Sequence, residues 1–123
     1  MAHGHDPDPT RLLNDAAYTR AVADVMQALA TPSRLRILAR LHAAPASVSE
    51  LAEAVEMEGS AVSHQLRLLR HLGLVIGRRN GRQTVYALHD DHVAAMLQQV
   101  VSHVDHVRLG LPAPVAELDV MEA

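Results

Sequence analysis

The stretch from residue 59 to residue 88 constrains the fold most, because its apolar pattern changes from a helical period to a strand period within one short turn. In its first half the apolar residues recur at the three- and four-residue spacing of a helix with one buried face. They are Val62, Leu66, Leu69 and Leu72. Beyond Gly73, two β-prone runs flank Asn80-Gly81, and this pair predicts a β-hairpin with a type I′ turn.

A second short helix is predicted immediately before this one. Its apolar stripe is Val48, Leu51, Ala52 and Val55. Ser47 or Ser49 can cap its N-terminus. Residues 57–59 contain a glycine and predict a turn, and the following helix is expected to start at Ser60. Two short helices about a tight turn have helix-turn-helix geometry.

Three further helices complete the prediction. The first is expected to begin at Ala16 and end near Ala30, the second to run from Pro32 to about His42, and the last from about Asp90 to Leu109. Thr31 is the expected N-cap of the second helix. The residues expected to be buried in the first two are Val22, Val25, Met26, Leu29, Leu35, Leu38 and Leu41, or their neighbours. The fold is therefore predicted to be mainly α with a small β-hairpin, a winged helix-turn-helix of about five helices and a two-stranded wing.

The size of the chain predicts one domain, because 123 residues, 49% of them hydrophobic, can bury one ordinary core. Residues 1–15 are expected to form a flexible N-terminal arm, residues 16–111 the DNA-binding and dimerisation domain, and residues 112–123 a flexible tail. No window reaches the roughly 18 apolar residues of a membrane span, and the first residues carry no apolar run. We expect a cytoplasmic protein with no membrane partner.

Charge is distributed unevenly along the chain, although the net charge is only −3. Between residues 59 and 88 every charged side chain is an arginine, whereas acidic residues cluster on both sides of this stretch. The arginines are Arg67, Arg70, Arg78, Arg79 and Arg82. A run of arginines can be merely a solvated face. Combined with a helix pair and a hairpin, it predicts double-stranded DNA as the partner.

The helix predicted after the turn starts with small polar residues, so it can enter the major groove closely. Ser63, His64 and Gln65 could then meet base edges, and Ser60 suits a phosphate contact. The remaining predicted DNA contacts are arginines, one on this helix and three at the wing tip. They are Arg67, Arg78, Arg79 and Arg82.

Candidate metal ligands lie at both ends of the last predicted helix. Because the chain has no cysteine, any metal must be held by nitrogen and oxygen. The candidates are Asp90, His92, His103 and His106. The three histidines share one stripe, within about 60° of one another, yet His92 and His103 are roughly 16 Å apart along the helix axis. One helix cannot close such a site, but two antiparallel copies can, so the spacing predicts a homodimer. The alternative is that these histidines are simply exposed and that Asp90 only caps the helix.

Three segments resemble the ArsR/SmtB family of metal-sensing repressors. They are residues 29–38 (LATPSRLRIL), residues 60–69 (SAVSHQLRLL) and residues 85–88 (VYAL). The resemblance implies a homodimeric winged helix that holds a pseudo-palindromic operator when metal-free and releases it when an inducing metal binds, and it implies no enzyme activity. By position it assigns operator contacts to Ser60, Ser63, His64 and Gln65, and it reproduces an interhelical metal site at the four candidate ligands.

The segment from Ser102 to Leu111 is most similar to the nickel- and cobalt-sensing branch of that family, which also uses its N-terminus. This implies Ni²⁺ or Co²⁺ as the inducer, with His3 and His5 of the arm as further ligands. Arg108 departs from the branch, because a further histidine can stand there and a cation cannot ligate. Four ligands would also suit tetrahedral Zn²⁺, so a zinc-responsive repressor and a winged-helix regulator with no metal inducer remain alternatives.

Overall fold

The computed structural model of the chain describes residues 6–110. This part contains five α-helices and three strands, in the order α1 (Ala16–Ala28), α2 (Pro32–Ala43), β1 (Ala46–Ser47), α3 (Val48–Val55), α4 (Gly59–His71), β2 (Val75–Asn80), β3 (Gln83–Leu88) and α5 (Asp91–Leu109). Two compact units result, one ending at His89 and the other beginning at Asp90. The predicted winged helix-turn-helix is confirmed.

A short 3-10 helix at Pro9–Leu13 precedes α1. Arg11 ties it to α1, because its guanidinium lies 3.9 Å from the centre of the Tyr18 ring and 3.1 Å from Asp15 Oδ2. Asp15 also caps α1 by accepting the Tyr18 amide, and this hydrogen bond is the main reason that the pKa of its carboxyl lies below the usual range. The arm expected for residues 1–15 did not include this helix, and residues 1–5 lie outside the described residues.

Side chains fix where α2 and α3 begin. Thr31 Oγ1 accepts the Arg34 amide at 3.4 Å, and Pro32 occupies the first helical position of α2. At α3, Ser47 Oγ accepts the Glu50 amide at 3.2 Å while Glu50 Oε1 accepts the Ser47 amide at 2.9 Å, which makes a capping box. The bond from the Ser47 amide is the main cause of the lowered pKa of Glu50. The predicted caps at Thr31 and Ser47 are confirmed.

The turn between α3 and α4 differs from its prediction. Glu56 ends α3 in the left-handed conformation with φ of 55°, so the residue that reverses the chain is not a glycine. Gly59 is instead the first residue of α4, one position before the expected start at Ser60. A left-handed residue here fits the usual geometry of a helix C-terminus, although a glutamate adopts it at a cost in strain.

The core of the first unit is formed by α2, α3 and α4 under the sheet. Its fully buried large side chains are Ile37, Leu38, Leu51, Val62, Leu66, Leu69 and Val75. Two predicted core residues are exceptions, because Met26 is 63% exposed and Leu35 is 39% exposed. Helical spacing predicts a stripe but leaves its rotation uncertain by one position, and on α2 the buried side is centred on Ile37 and Leu38.

The sheet has three antiparallel strands in the order β1-β3-β2, one more than predicted. The extra strand, β1, pairs Ala46 with Tyr86 and Ser47 with Val85. Two residues carry no detectable period, so this pairing has no signal in the sequence.

The predicted hairpin is present, but its turn is different. Asn80 pairs with Gln83, so Gly81 and Arg82 are the two turn residues rather than Asn80 and Gly81. Gly81 has φ of 66° and neither neighbour has positive φ, which is the pattern of a type II′ turn with glycine in its first central position.

Candidate functional site

One exposed stripe on α4 carries most of the predicted base-reading residues. Ser60, His64 and Arg67 are all exposed and follow one another at four- and three-residue spacing. Ser63 is half-buried beside them. The opposite side of the helix is locked into the core by residues described above, so α4 can present this stripe to a duplex without rearrangement. Its first-turn amides receive no side-chain cap from Glu58.

Gln65 differs from the other predicted contacts, because it is half-buried and already has a partner. Arg34 Nε donates a hydrogen bond to Gln65 Oε1 at 2.8 Å. The same guanidinium donates from Nη1 to the backbone carbonyls of Gln27 at 3.3 Å and Ala28 at 3.4 Å. Arg34 therefore connects the end of α1, the first turn of α2 and the recognition helix α4. The sequence gave no signal for this residue, because nothing local indicates a contact 31 positions away.

The wing carries the three predicted arginines, and Arg78, Arg79 and Arg82 are all exposed. Arg78 is opposite Val85 and Arg79 is opposite Thr84 on β3. Since successive side chains of a strand point to opposite faces, Arg78 and Arg79 project from different faces of the hairpin. A duplex approached by one face of the wing meets only one of these two.

Asp90 and His92 lie together at the start of α5. Asp90 Oδ1 caps the helix by accepting the His92 amide at 3.0 Å and the Val93 amide at 3.2 Å. Its other carboxylate oxygen, Oδ2, is 3.6 Å from His92 Nδ1, and the His92 side chain is 97% exposed. The capping role weighed for Asp90 is thus present, and it uses mainly one of the two oxygens.

His103 and His106 lie near the other end of α5, and both are exposed. His106 Nδ1 is 2.7 Å from the backbone oxygen of Ser102. A carbonyl oxygen can only accept, so Nδ1 carries the proton and, in the neutral ring, Nε2 carries the lone pair. This contact fixes the tautomer of His106.

Within residues 6–110 of one chain, no group of three or more histidine, aspartate or glutamate side chains is arranged to hold a metal ion. The four α5 residues form two separate pairs, at opposite ends of one helix. The predicted arm ligands His3 and His5, and the tail from residue 112 onward, lie outside the described residues. Among the described helices, none is both long and apolar enough to cross a membrane.

Comparisons with known proteins agree with this architecture. The family described as "Bacterial regulatory protein, arsR family" matches residues 31–76. The HTH-type transcriptional regulator NmtR of Mycobacterium tuberculosis is 56% identical over 97 residues, which cover 79% of this chain and 81% of that protein.

Two solved structures extend the agreement to three dimensions. The solution structure of apo-NmtR aligns with a TM-score of 0.67 and 48% identity, covering 94% of this chain and 93% of that one. A homodimeric winged helix-turn-helix DNA-binding domain from Mycobacterium bovis aligns with a TM-score of 0.75 and 28% identity, covering 91% of this chain and all of the other. The chain therefore belongs to the ArsR family of bacterial transcriptional regulators and has their DNA-binding winged helix-turn-helix fold.

Proposed function

We propose that this protein is a homodimeric repressor that binds a pseudo-palindromic operator when metal-free and dissociates when Ni²⁺ or Co²⁺ binds between the α5 helices of two copies. The observation that carries the proposal is the pair of ordered donor sets at opposite ends of α5. Asp90 with His92 would supply one half of each site, and His103 with His106 of a second copy would supply the other half.

The first donor set has a spacing suited to one ion. Two ligands bonded at about 2.0–2.2 Å to a common metal are separated by roughly 3.0–3.5 Å. Asp90 Oδ2 and His92 Nδ1 are 3.6 Å apart. Because the capping bonds to Oδ1 hold the carboxylate, only a small adjustment is needed for the pair to bind one ion.

The second donor set includes a histidine prepared for coordination. Metal-bound histidines commonly donate their other ring N–H to a backbone carbonyl, which orients the ring and raises its basicity. His106 makes such a contact with Ser102. Its Nε2 is therefore the atom that we assign as the ligand.

The two sets belong to different copies because a single helix separates them by about 16 Å. Large apolar side chains in the second half of α5 are exposed in the single chain and would supply a surface for the second copy. They are Val100, Val101, Val104, Val107 and Leu109. Metal shared across this surface would favour one dimer geometry, and linkage requires metal and operator to weaken each other's binding by the same factor.

Nickel or cobalt is preferred over zinc because the arm offers additional donors. His3 and His5 would raise the number of ligands above the four that α5 supplies, and six-coordinate sites suit nickel and cobalt better than tetrahedral zinc. An absorption titration with Co²⁺ tests this choice, because tetrahedral cobalt absorbs far more strongly than octahedral cobalt. Intense bands in the full chain, unchanged when residues 1–10 are deleted, would favour the zinc alternative.

Replacing His103 tests the inducer role. The His103→Gln variant is expected to bind a duplex selected by the metal-free wild-type protein with unchanged affinity, and to remain bound when NiCl₂ is added. The wild-type protein should lose roughly 5- to 150-fold in affinity, the usual range of allosteric coupling. His42→Gln, which removes an exposed histidine from the end of α2, is the matched control and should respond like the wild type. Metal-induced release by His103→Gln would refute the assignment.

A further inference from the structure

We propose that Arg34 is a positioning residue that turns Gln65 into a hydrogen-bond donor for DNA, so that the recognition helix reads guanine rather than adenine at the base facing Gln65. This inference rests on the proposed contact of Gln65 with the operator. It concerns which base is chosen and by which atom.

The chemistry of the contact fixes the orientation of the Gln65 amide. A guanidinium has donors and no acceptor, so the atom 2.8 Å from Arg34 Nε must be the carbonyl oxygen Oε1. Arg34 is itself anchored, because its Nη1 donates to the last carbonyls of α1. The amide oxygen of Gln65 is therefore held toward the protein by a partner that cannot easily follow it outward.

The amide nitrogen of Gln65 is the end left for the duplex. Within residues 6–110, Nε2 of Gln65 has no hydrogen-bond partner, and the side chain is half-exposed beside the stripe of His64 and Ser60. An NH₂ group offers two N–H donors. In the major groove guanine presents two acceptors, N7 and O6, whereas adenine presents the N7 acceptor next to an N6 donor.

The usual recognition of adenine by glutamine needs both ends of the amide, with the oxygen accepting from N6 and the nitrogen donating to N7. With its oxygen engaged by Arg34, Gln65 is suited to guanine instead. Release of the oxygen would restore the adenine-reading geometry. Arg34 thus acts on specificity through Gln65 without contacting the base.

Selection from a library of random duplexes by the metal-free protein tests the inference. The wild-type protein should enrich guanine at one position of each half-site, and 7-deazaguanine at that position should weaken binding about tenfold, the effect of losing one base contact. Arg34→Met should shift the preference toward adenine. Arg36→Met removes the same charge from an exposed position of α2 and should leave the preference at guanine.

A double-mutant cycle separates positioning from a merely structural role. If Arg34 acts through Gln65, Arg34→Met should have no effect on base preference in a Gln65→Ala background. Gln65→Glu provides a test that does not depend on the folding of the Arg34 variant, because the carboxylate still accepts from Arg34 but has no donor. It should lose the guanine preference while keeping the thermal stability of the wild type.

Three results would overturn the inference: an unchanged guanine preference in Arg34→Met or Gln65→Glu, an adenine preference in the wild type, or a uniform loss of affinity on all sequences with a reduced salt slope in Arg34→Met. The last would identify Arg34 as a phosphate contact. If the wild-type protein enriches no sequence at all, the proposed operator binding itself fails, which is a distinguishable result.

Discussion

Replacing Ser47 by alanine should destabilise the fold measurably, because it removes the N-cap of the shortest helix of the helix-turn-helix. The substitution deletes the acceptor of the Glu50 amide and keeps the reciprocal bond from the Ser47 amide. Loss of a serine cap costs about 0.5–2 kcal/mol. Ser47 is only 4% exposed, so water replaces the lost acceptor poorly, and we expect about 1.5 kcal/mol. For a domain of this size that corresponds to a fall in Tm of roughly 6 °C.

Thermal unfolding followed by circular dichroism at one fixed protein concentration measures this effect, since the stability of a dimer depends on concentration. Ser49→Ala is the matched control, because Ser49 is exposed and its hydroxyl contacts only that of Ser47, at 3.2 Å. It should change stability by less than about 0.5 kcal/mol. Ser47→Thr should restore most of the loss. Equal losses for the two alanine variants would refute the argument that the cap stabilises α3.

Further predictions concern the turn, the wing and the pH response. Glu56→Gly should raise stability by several tenths of a kcal/mol, because glycine adopts the left-handed conformation without strain; a lower Tm would contradict this. Gly77→Val should cost about 1–3 kcal/mol by chemical denaturation, because a Cβ there would lie 3.0 Å from the facing tyrosine ring, and unchanged stability would count against that contact. Alanine at one of Arg78 and Arg79 should make the salt dependence of operator binding shallower by about 0.9 per contact, while the other leaves it unchanged; equal effects would mean that both faces of the wing meet DNA. The lowered pKa of Glu50 means that its stabilising effect is present above its unfolded value near 4.5 and is lost as the pH falls through the folded value, so Glu50→Gln should flatten the decline of Tm in acid.

Local signals made most of the fold predictable. Helical spacing, the Thr31-Pro32 start and the serine before α3 act over a few residues, so one sequence suffices to locate the helices. The Asn-Gly pair located the hairpin correctly but its turn wrongly, because glycine alone supplies the positive φ and the strand continues through Asn80.

The unpredicted features depend on residues distant in the chain. The pairing of β1 with β3 joins positions about forty residues apart, and the bond between Arg34 and Gln65 spans 31. The candidate metal ligands are identified by their spacing on one helix, but their completion depends on a second copy, which a single chain does not contain. For the same reason the exposure of Met26 could not be anticipated from its position in an apolar stripe.

Ser47 belongs at once to a strand and to a helix, since it pairs with Val85 of the wing and caps α3. The wing and the helix-turn-helix therefore share a residue, with no flexible joint between them at this point. Each protomer meets a duplex as a rigid two-pronged tool whose prongs keep a constant separation. An effector that alters the match to the operator has to do so by changing how two such tools are mounted relative to each other.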